Sequence, residues 1–128
     1  PSDFWEILKS EYDGGVWKFP NVKANHPEKS IHPCSFPIEL AERCVLAFSD
    51  KNEVILDPFS GIGTTSLAAL KNGRKAVCCE VVSSYMKEAK NRVNQLEEGI
   101  LSYRKIGKAL HVPKGTEKVV KKPEEWKS

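Results

Sequence analysis

The sequence predicts an α/β fold in which a parallel sheet carries helices on both faces. Two short apolar segments, residues 54–56 and 76–79, each end on an acidic residue and are each followed by a helical pattern. Strand, helix, strand and helix in this order require crossover connections, which join parallel strands. The neighbouring Cys78 and Cys79 point to opposite sides of the second strand, which suits a strand buried on both faces.

The bounds of each element follow from turn residues and from the spacing of apolar side chains. Pro37 suits the first turn of a helix whose apolar residues recur at helical spacing. Gly73 and Gly99 act as helix stops, and the last helix has its apolar residues on one face and its charged residues on the other. In chain order, the sequence predicts a short helix over 4–12, a helix over 37–48, a strand over 53–56, a helix over 64–71, a strand over 75–80 and a helix from 83 or 84 to 97.

Composition predicts a soluble, cytoplasmic protein. Of the 128 residues, 40% are hydrophobic and 29% are charged, which is ordinary for a globular domain, and no apolar stretch is long enough to span a membrane. There is no signal-like start. The four cysteines form no C-x-x-C pair and the histidines are not spaced to complete a metal site, so we expect no metal and a reducing compartment. The net charge of +3 neither establishes nor excludes nucleic acid as a partner.

The loop between the first predicted strand and the next helix is typical of a nucleotide-type cofactor cradle. Gly61 and Gly63 permit a sharp turn and a close approach of the backbone to a ligand. Thr64 and Thr65 supply hydroxyl groups at the start of the helix. The ligand is therefore expected at that helix start.

The charge of the loop indicates which cofactor it holds. A dinucleotide site usually has a third glycine, where this chain has Ser66. Asp57, at the tip of the first strand, would repel a pyrophosphate but attract an ammonium or sulfonium group, and S-adenosylmethionine carries both. Glu80 closes the second strand, where a carboxylate accepts ribose hydroxyls, but this acid is common to both kinds of cofactor.

Three motifs in this order resemble the circularly permuted beta class of DNA amino-methyltransferases. They are the run from His32 to Pro37, the run from Asp57 to Thr65, and Glu80, and the resemblance covers about residues 17–94. It implies a Rossmann-like sheet that is part of a class I methyltransferase fold, with S-adenosyl-L-methionine as cofactor. In this class the cofactor half follows the catalytic half, so the chain is similar to the C-terminal portion of such an enzyme.

The same resemblance implies a role for each cofactor-binding residue. One segment touches the methionine part, a loop forms the cofactor cradle, an acid binds the ribose and a valine lies against the adenine. The residues are, respectively, His32, Pro33, Phe36 and Pro37; Asp57, Phe59, Ser60, Gly61, Gly63, Thr64 and Thr65; Glu80; and Val81.

The sequence departs from the family in its catalytic motif. That motif is Asp, Asn or Ser followed by Pro-Pro and an aromatic residue, and the 128 residues contain no Pro-Pro pair. In the permuted order it would lie upstream of Pro1, so we expect no catalytic residue here and a partner instead. The partner is a second polypeptide or a missing N-terminal half, with double-stranded DNA as substrate.

These expectations divide the chain into three parts. They are an N-terminal helix and extended loop (1–30), the S-adenosylmethionine-binding α/β portion (31–106) and a basic tail (107–128). The leading interpretation is the cofactor-binding half of a restriction–modification DNA methyltransferase acting on cytosine N4 or adenine N6. A non-catalytic S-adenosylmethionine-binding or regulatory subunit and a fragment of an RNA or small-molecule methyltransferase remain alternatives. A dinucleotide oxidoreductase is disfavoured by Asp57 and Ser66.

Overall fold

The computed structural model describes residues 17–19, 22 and 26–109. Its helices and strands lie within one residue of the bounds that the sequence predicts, except that the second strand ends two residues early. The helix predicted over residues 4–12 lies outside the described residues, as does most of the basic tail. The described elements are α1 (Ile38–Phe48), β1 (Val54–Asp57), α2 (Thr64–Lys71), β2 (Lys75–Cys78) and α3 (Ser83–Glu97).

The two strands form a parallel sheet, which confirms the α/β class. Val54 lies opposite Lys75 and Asp57 lies opposite Cys78, so both strands end at the same edge. Helix α2 connects them and packs on both. The left-handed Gly73, with φ of 74°, turns the chain back from α2 into β2, as its position in the sequence predicts.

The core lies on one side of this sheet. Its centre is a cluster of buried side chains from α1 and α2, against which Ile55 of β1 and Val93 and Leu96 of α3 pack. Every described helix therefore joins the layer that faces Ile55. The buried cluster consists of Ile38, Ala41, Val45, Leu67 and Ala68.

The opposite face of the sheet is apolar and exposed. Val54, Leu56 and Val77 are 58%, 65% and 51% exposed. The prediction that the second strand is buried on both faces is wrong for the described chain: Cys78 is half-buried and Cys79 is exposed. The second strand is exposed on its other face because the described helices all pack on the Ile55 side. A layer of helices on the other face stays a prediction.

A buried carboxylate fixes the start of α1. Pro37, at the N-cap, makes no side-chain cap bond. Glu28 replaces it from ten residues upstream, because its carboxylate accepts the N–H of Ile38 at 2.7 Å and the N–H of Arg104 at 2.9 Å. The Arg104 guanidinium also pairs with Glu39 at 2.8 Å. Residues near 104 thus return to the amino end of α1.

Within the part of the chain that the structure describes, no helix has the length and apolar character needed to cross a membrane.

Candidate cofactor-binding site

The loop after β1 is bonded to the end of β2. The Cys79 N–H donates to the Asp57 carbonyl at 3.0 Å, which extends the pairing by one residue. The backbone N–H and the hydroxyl of Ser60 both donate to the Cys79 carbonyl, at 3.0 and 3.1 Å. The second strand ends early because its next carbonyl is used by this loop. Ser60 is therefore buried and serves the loop itself.

The two glycines of the loop adopt the left-handed conformation that their spacing predicts. Gly61 has φ of 53° and Gly63 has φ of 74°. The Gly63 N–H donates to the Ser60 carbonyl at 2.8 Å. A Cβ atom on Gly63 would lie 3.0 Å from the Cβ of Ala89, which is tighter than ordinary van der Waals contact. The close approach at Gly63 is therefore to helix α3.

Glu80 lies against the glycine turn. One oxygen of its carboxylate accepts the N–H of Gly61 at 2.8 Å and the other accepts the N–H of Val82 at 2.7 Å. The side chain is half-buried. Each carboxylate oxygen can accept a second hydrogen bond, so Glu80 can hold the turn and still accept hydroxyl groups of a ligand.

Asp57 places a carboxylate at the tip of β1. Its Oδ1 accepts the N–H of Phe59 at 3.1 Å, which is an Asx-type turn that orients the side chain. Its Oδ2 has no hydrogen-bond partner among the described residues. A half-exposed carboxylate with one free oxygen attracts a cationic ligand group.

A cleft opens between the two strand ends. It has a volume of about 360 Å³ and is lined by Pro58, Phe59, Cys79, Glu80 and Val81, which is in the range of small-molecule sites. Phe59 is 90% exposed and Val81 is 95% exposed. Two exposed apolar side chains therefore line the same cleft as a carboxylate, a combination that suits a flat base joined to a hydroxylated sugar.

His32 reaches this loop from a distant part of the chain. Its Nε2 lies 3.5 Å from the position that a Cβ on Gly61 would take, and its ring meets the ring of Tyr85 edge-on at a centroid distance of 4.7 Å. The Nδ1 atom accepts the N–H of Cys34 at 3.2 Å. In the neutral imidazole the proton is then on Nε2, which makes Nε2 a donor beside the glycine turn.

A ring of hydrogen bonds fixes the backbone of His32. The His32 N–H donates to the Ser30 hydroxyl at 3.3 Å, and the Ser35 hydroxyl donates to the His32 carbonyl at 3.1 Å. The two serine hydroxyls are 2.9 Å apart. Since the Ser35 proton goes to His32, the Ser30 hydroxyl donates to Ser35 and closes the ring.

The remaining predicted residues lie near this edge in different environments. Pro33 is exposed, and Pro37, Gly63 and Thr64 are buried. Phe36 and Thr65 line a second, largely apolar cavity of about 460 Å³ between α1 and β1. The structure thus groups eight of the predicted residues in or directly around the turn and the cleft: His32, Asp57, Phe59, Ser60, Gly61, Gly63, Glu80 and Val81.

Sequence reasoning missed Arg92. The periodicity of α3 predicts its charged residues on the solvent face, but Arg92 is only 5% exposed. Its Nη1 donates to the Ile62 carbonyl at 2.8 Å and to the Thr64 hydroxyl at 3.3 Å. Burial lowers the pKa of Arg92 below its usual range, an effect that the charges of Glu28 and Glu88 oppose. A spacing of seven residues from Tyr85, on the same helical face, was the available signal.

Among the described residues, no group of three or more His, Cys, Asp or Glu side chains could hold a metal ion.

Comparison with known proteins places these features in context. A family model described as DNA methylase matches residues 6–91. The type II methyltransferase M.BglII of Bacillus subtilis is 41% identical over 73 residues, which are 57% of this chain and 20% of that protein. The type II methyltransferase M.ScaI of Streptomyces caespitosus is 44% identical over 82 residues, 61% of this chain and 27% of that protein.

Two further relatives complete the comparison. The DNA adenine methyltransferase YhdJ of Escherichia coli (strain K12) is 38% identical over 81 residues, 63% of this chain and 28% of that protein. The crystal structure of TTHA0409, a putative DNA modification methylase from Thermus thermophilus complexed with S-adenosyl-L-methionine, is 45% identical, with a TM-score of 0.47 over 59% of this chain and 31% of that chain. The chain spans between a fifth and three tenths of the length of the curated relatives named here.

Proposed function

This chain belongs to the DNA methylase family, and we propose that it is the S-adenosylmethionine-binding portion of a restriction–modification DNA methyltransferase that methylates an exocyclic amine of cytosine or adenine. The observation that carries the proposal is the cleft at the strand ends, which Glu80 lines together with the exposed Phe59 and Val81, while Asp57 ends the neighbouring strand. The relatives named type II methyltransferases support the restriction–modification assignment.

The nucleoside part of the cofactor fits the cleft. We assign the ribose hydroxyls to Glu80, whose oxygens each have a free acceptor position beside their bonds to Gly61 and Val82. The adenine then lies against Val81, with Phe59 as a second apolar contact. Both side chains are almost fully exposed, so covering them with a base is favourable.

The amino-acid part of the cofactor fits the charges around the turn. Asp57 has a free oxygen for the ammonium or sulfonium group. We assign the Nε2–H of His32, whose ring is held by Cys34 and whose backbone is held by the ring of serines, to the carboxylate of the cofactor's methionine part. Pro33, Phe36 and Pro37 belong to the same segment as His32, and Phe36 lines the second cavity.

The buried residues of the loop contribute its shape. Ser60 and Thr64 use their side chains within the protein, and Gly63 packs against Ala89. We therefore assign these three residues, with Gly61, to the conformation of the cradle. Thr65 is half-buried at the first turn of α2 and faces the second cavity.

The chain's own residues supply positioning and charge to the reaction. When bound, S-adenosylmethionine would supply the methyl group of its sulfonium to an amine nitrogen attacking in line: the S–CH3 bond would break to leave S-adenosylhomocysteine, and the amine would lose one proton. Asp57, Glu80 and His32 bind and orient the donor, and Phe59 and Val81 exclude water from it. The target base, flipped from double-stranded DNA, is held by groups of the catalytic motif, which these 128 residues do not contain.

We propose that a second polypeptide or an N-terminal half supplies that motif and covers the exposed face of the sheet. Val54, Leu56 and Val77 are more than half exposed there, and Phe48 is 81% exposed at the end of α1. Strand β1 has one hydrogen-bonded neighbour among the described residues, β2. An apolar face beside an open strand edge favours association with another chain segment.

The first experiment is Asp57→Asn, measured by calorimetric titration with S-adenosylmethionine. Asparagine keeps an oxygen that can accept the Phe59 N–H, so the substitution removes the charge and spares the turn. We expect binding roughly tenfold weaker. Asp50→Asn is the matched control, since Asp50 is exposed at the other end of β1. Equal affinity of the two variants would contradict the assignment of Asp57.

The second experiment is an intact-mass analysis of the native particle. We expect a polypeptide partner, or a longer chain, carrying Ser, Asp or Asn before Pro-Pro and an aromatic residue, and we expect that material to methylate double-stranded DNA. A particle that contains this chain alone, folded and monomeric, would favour a non-catalytic S-adenosylmethionine-binding subunit instead.

A further inference from the structure

We propose that Arg92 is a positioning residue of the cofactor site, which fixes the glycine turn from behind through the Ile62 carbonyl and the Thr64 hydroxyl. The functional part of this inference rests on the proposed S-adenosylmethionine site. The structural part, that Arg92 holds the turn, can be tested without any ligand.

Helix α3 supports the site with three side chains on one face. Tyr85, Ala89 and Arg92 are spaced by four and three residues, so they lie one above another along the helix. Tyr85 contacts the ring of His32, Ala89 packs against Gly63, and Arg92 bonds the peptide before Gly63. Each of the three side chains therefore meets a different part of the segment that we assign to the cofactor.

The peptide unit between Ile62 and Gly63 is held at both of its polar groups. Its N–H donates to the Ser60 carbonyl at 2.8 Å, and its carbonyl accepts from Arg92 at 2.8 Å. A peptide is planar, so two bonds on opposite sides fix its orientation. The orientation of this peptide determines the φ of Gly63 and the direction of the backbone after Gly61.

The peptide unit between Ser60 and Gly61, two units earlier in the chain, carries the link to the ligand. The Gly61 N–H donates to the Glu80 carboxylate, which we assign to the ribose. A turn that is free to rotate at Ile62 would move Gly61 and release Glu80 from its position. Arg92 therefore acts on the ligand through the turn and through Glu80, without touching the ligand itself.

The partners of Arg92 distinguish this role from an ordinary ion pair. A buried guanidinium is costly and is normally paired with a carboxylate. Among the described residues, no carboxylate forms an ion pair with Arg92, and its hydrogen bonds go to loop oxygens. Glu28 and Glu88 act on it as charges at a distance, opposing the lowered pKa that burial causes. The interactions of this buried cation are directed at the turn.

The test combines Arg92→Met with two readouts on the full chain. The first readout is amide hydrogen exchange at Gly61 and Gly63 compared with amides in the core of α1. The second is the dissociation constant for S-adenosylmethionine. We expect exchange at the two glycines to accelerate about tenfold or more while core amides keep their rates, and binding to weaken about tenfold.

Two further variants complete the design. Arg92→Lys keeps a charge and shortens the reach, and we expect an intermediate acceleration at Gly63. Lys90→Met removes a cation from an exposed position of the same helix, and we expect it to change neither readout. Should Arg92→Met fail to fold, Arg92→Lys carries the test by the same comparison.

The outcomes separate the two proposals. Two results would overturn the role of Arg92. In the Arg92 variant that folds, hydrogen exchange could accelerate equally at all amides, or it could stay unchanged at Gly61 and Gly63. Local acceleration without any measurable S-adenosylmethionine binding by the unaltered chain would retain Arg92 as the residue that holds the turn and overturn the proposed cofactor.

Discussion

The glycine turn and the outer face of the sheet differ sharply, although the turn directly follows strand β1 and the outer face includes side chains of that strand. In the turn, Ser60, Gly61, Ile62 and Gly63 all have backbone groups in hydrogen bonds to partners within the described chain. On the outer face, apolar side chains such as Leu56 are exposed and have no covering layer among the described residues. The backbone groups of the turn find their partners within the described chain, whereas the outer face is left uncovered by the described residues.

This difference matches the division of labour in the proposed enzyme. The side that binds the methyl donor needs preorganised polar groups, and the chain supplies them itself. The side that we propose is covered by the part carrying the catalytic motif offers apolar surface, whose burial favours association. The four predictions below test each side of this comparison.

The largest expected effect is on the packed side of the sheet. Leu67 is 1% exposed at the centre of the core, so Leu67→Ala should lower the free energy of unfolding by about 2–5 kcal/mol. Leu70→Ala, on the same helix at 38% exposure, should cost about 1 kcal/mol or less. Denaturant unfolding measures both, and similar losses would mean that the core is not centred on Leu67.

A second effect concerns the fit between the turn and α3. Gly63 and Gly99 have almost the same φ, 74° and 73°, but only Gly63 has a neighbour within 4 Å of an added Cβ. Each substitution by alanine should cost about 1–2 kcal/mol for the left-handed conformation. Gly63→Ala should cost more than Gly99→Ala because of Ala89. Equal losses in unfolding experiments would show that α3 yields easily at this contact.

A third effect should appear in binding rather than in stability. Phe59 is 90% exposed and Phe48 is 81% exposed, so neither substitution by alanine should change the unfolding free energy by more than about 0.5 kcal/mol. Phe59→Ala should weaken S-adenosylmethionine binding by about 1–2 kcal/mol, and Phe48→Ala should leave it unchanged. Calorimetric titration decides, and a loss with Phe48→Ala alone would move the site to the other cavity.

The smallest effect on stability is expected on the outer face. Leu56→Ser should change the unfolding free energy by less than about 0.5 kcal/mol and reduce self-association in sedimentation experiments. Ile55→Ser, one residue earlier and packed on the core, should destabilise strongly. A large loss with Leu56→Ser would show that this face is already covered in the isolated chain.

Local patterns predicted most of the fold. Pro37, Gly73 and Gly99 mark helix ends because their backbone preferences act over a few residues. The position of Glu80 beside the loop was predictable as well. One helix and one strand separate Gly61 from Glu80 in the sequence, and this spacing brings the two residues to the same edge of a parallel sheet. These features need no knowledge of distant contacts.

Features that depend on distant contacts could not be predicted from local patterns. A charged residue on an amphipathic helix is expected to face solvent, yet Arg92 is buried. Its guanidinium donates to groups that lie 28 and 30 residues away in the sequence, and a local pattern does not reveal such partners. The exposure of Val77 was missed because an apolar strand in the sequence gives no sign of which layer will cover it. Glu28 as a helix cap was missed because it lies ten residues from Ile38.

Glu28 also sets an order of events during synthesis of the chain. Its second partner, the N–H of Arg104, lies 76 residues later. At ribosomal rates of about 5–20 residues per second, this interval lasts roughly 4 to 15 seconds. Ile38 is added early in this interval, and for the rest of it the Glu28 carboxylate has Ile38 but lacks Arg104, so the amino end of α1 is incomplete. The nascent chain therefore finishes its first described helix only after its last described helix has emerged.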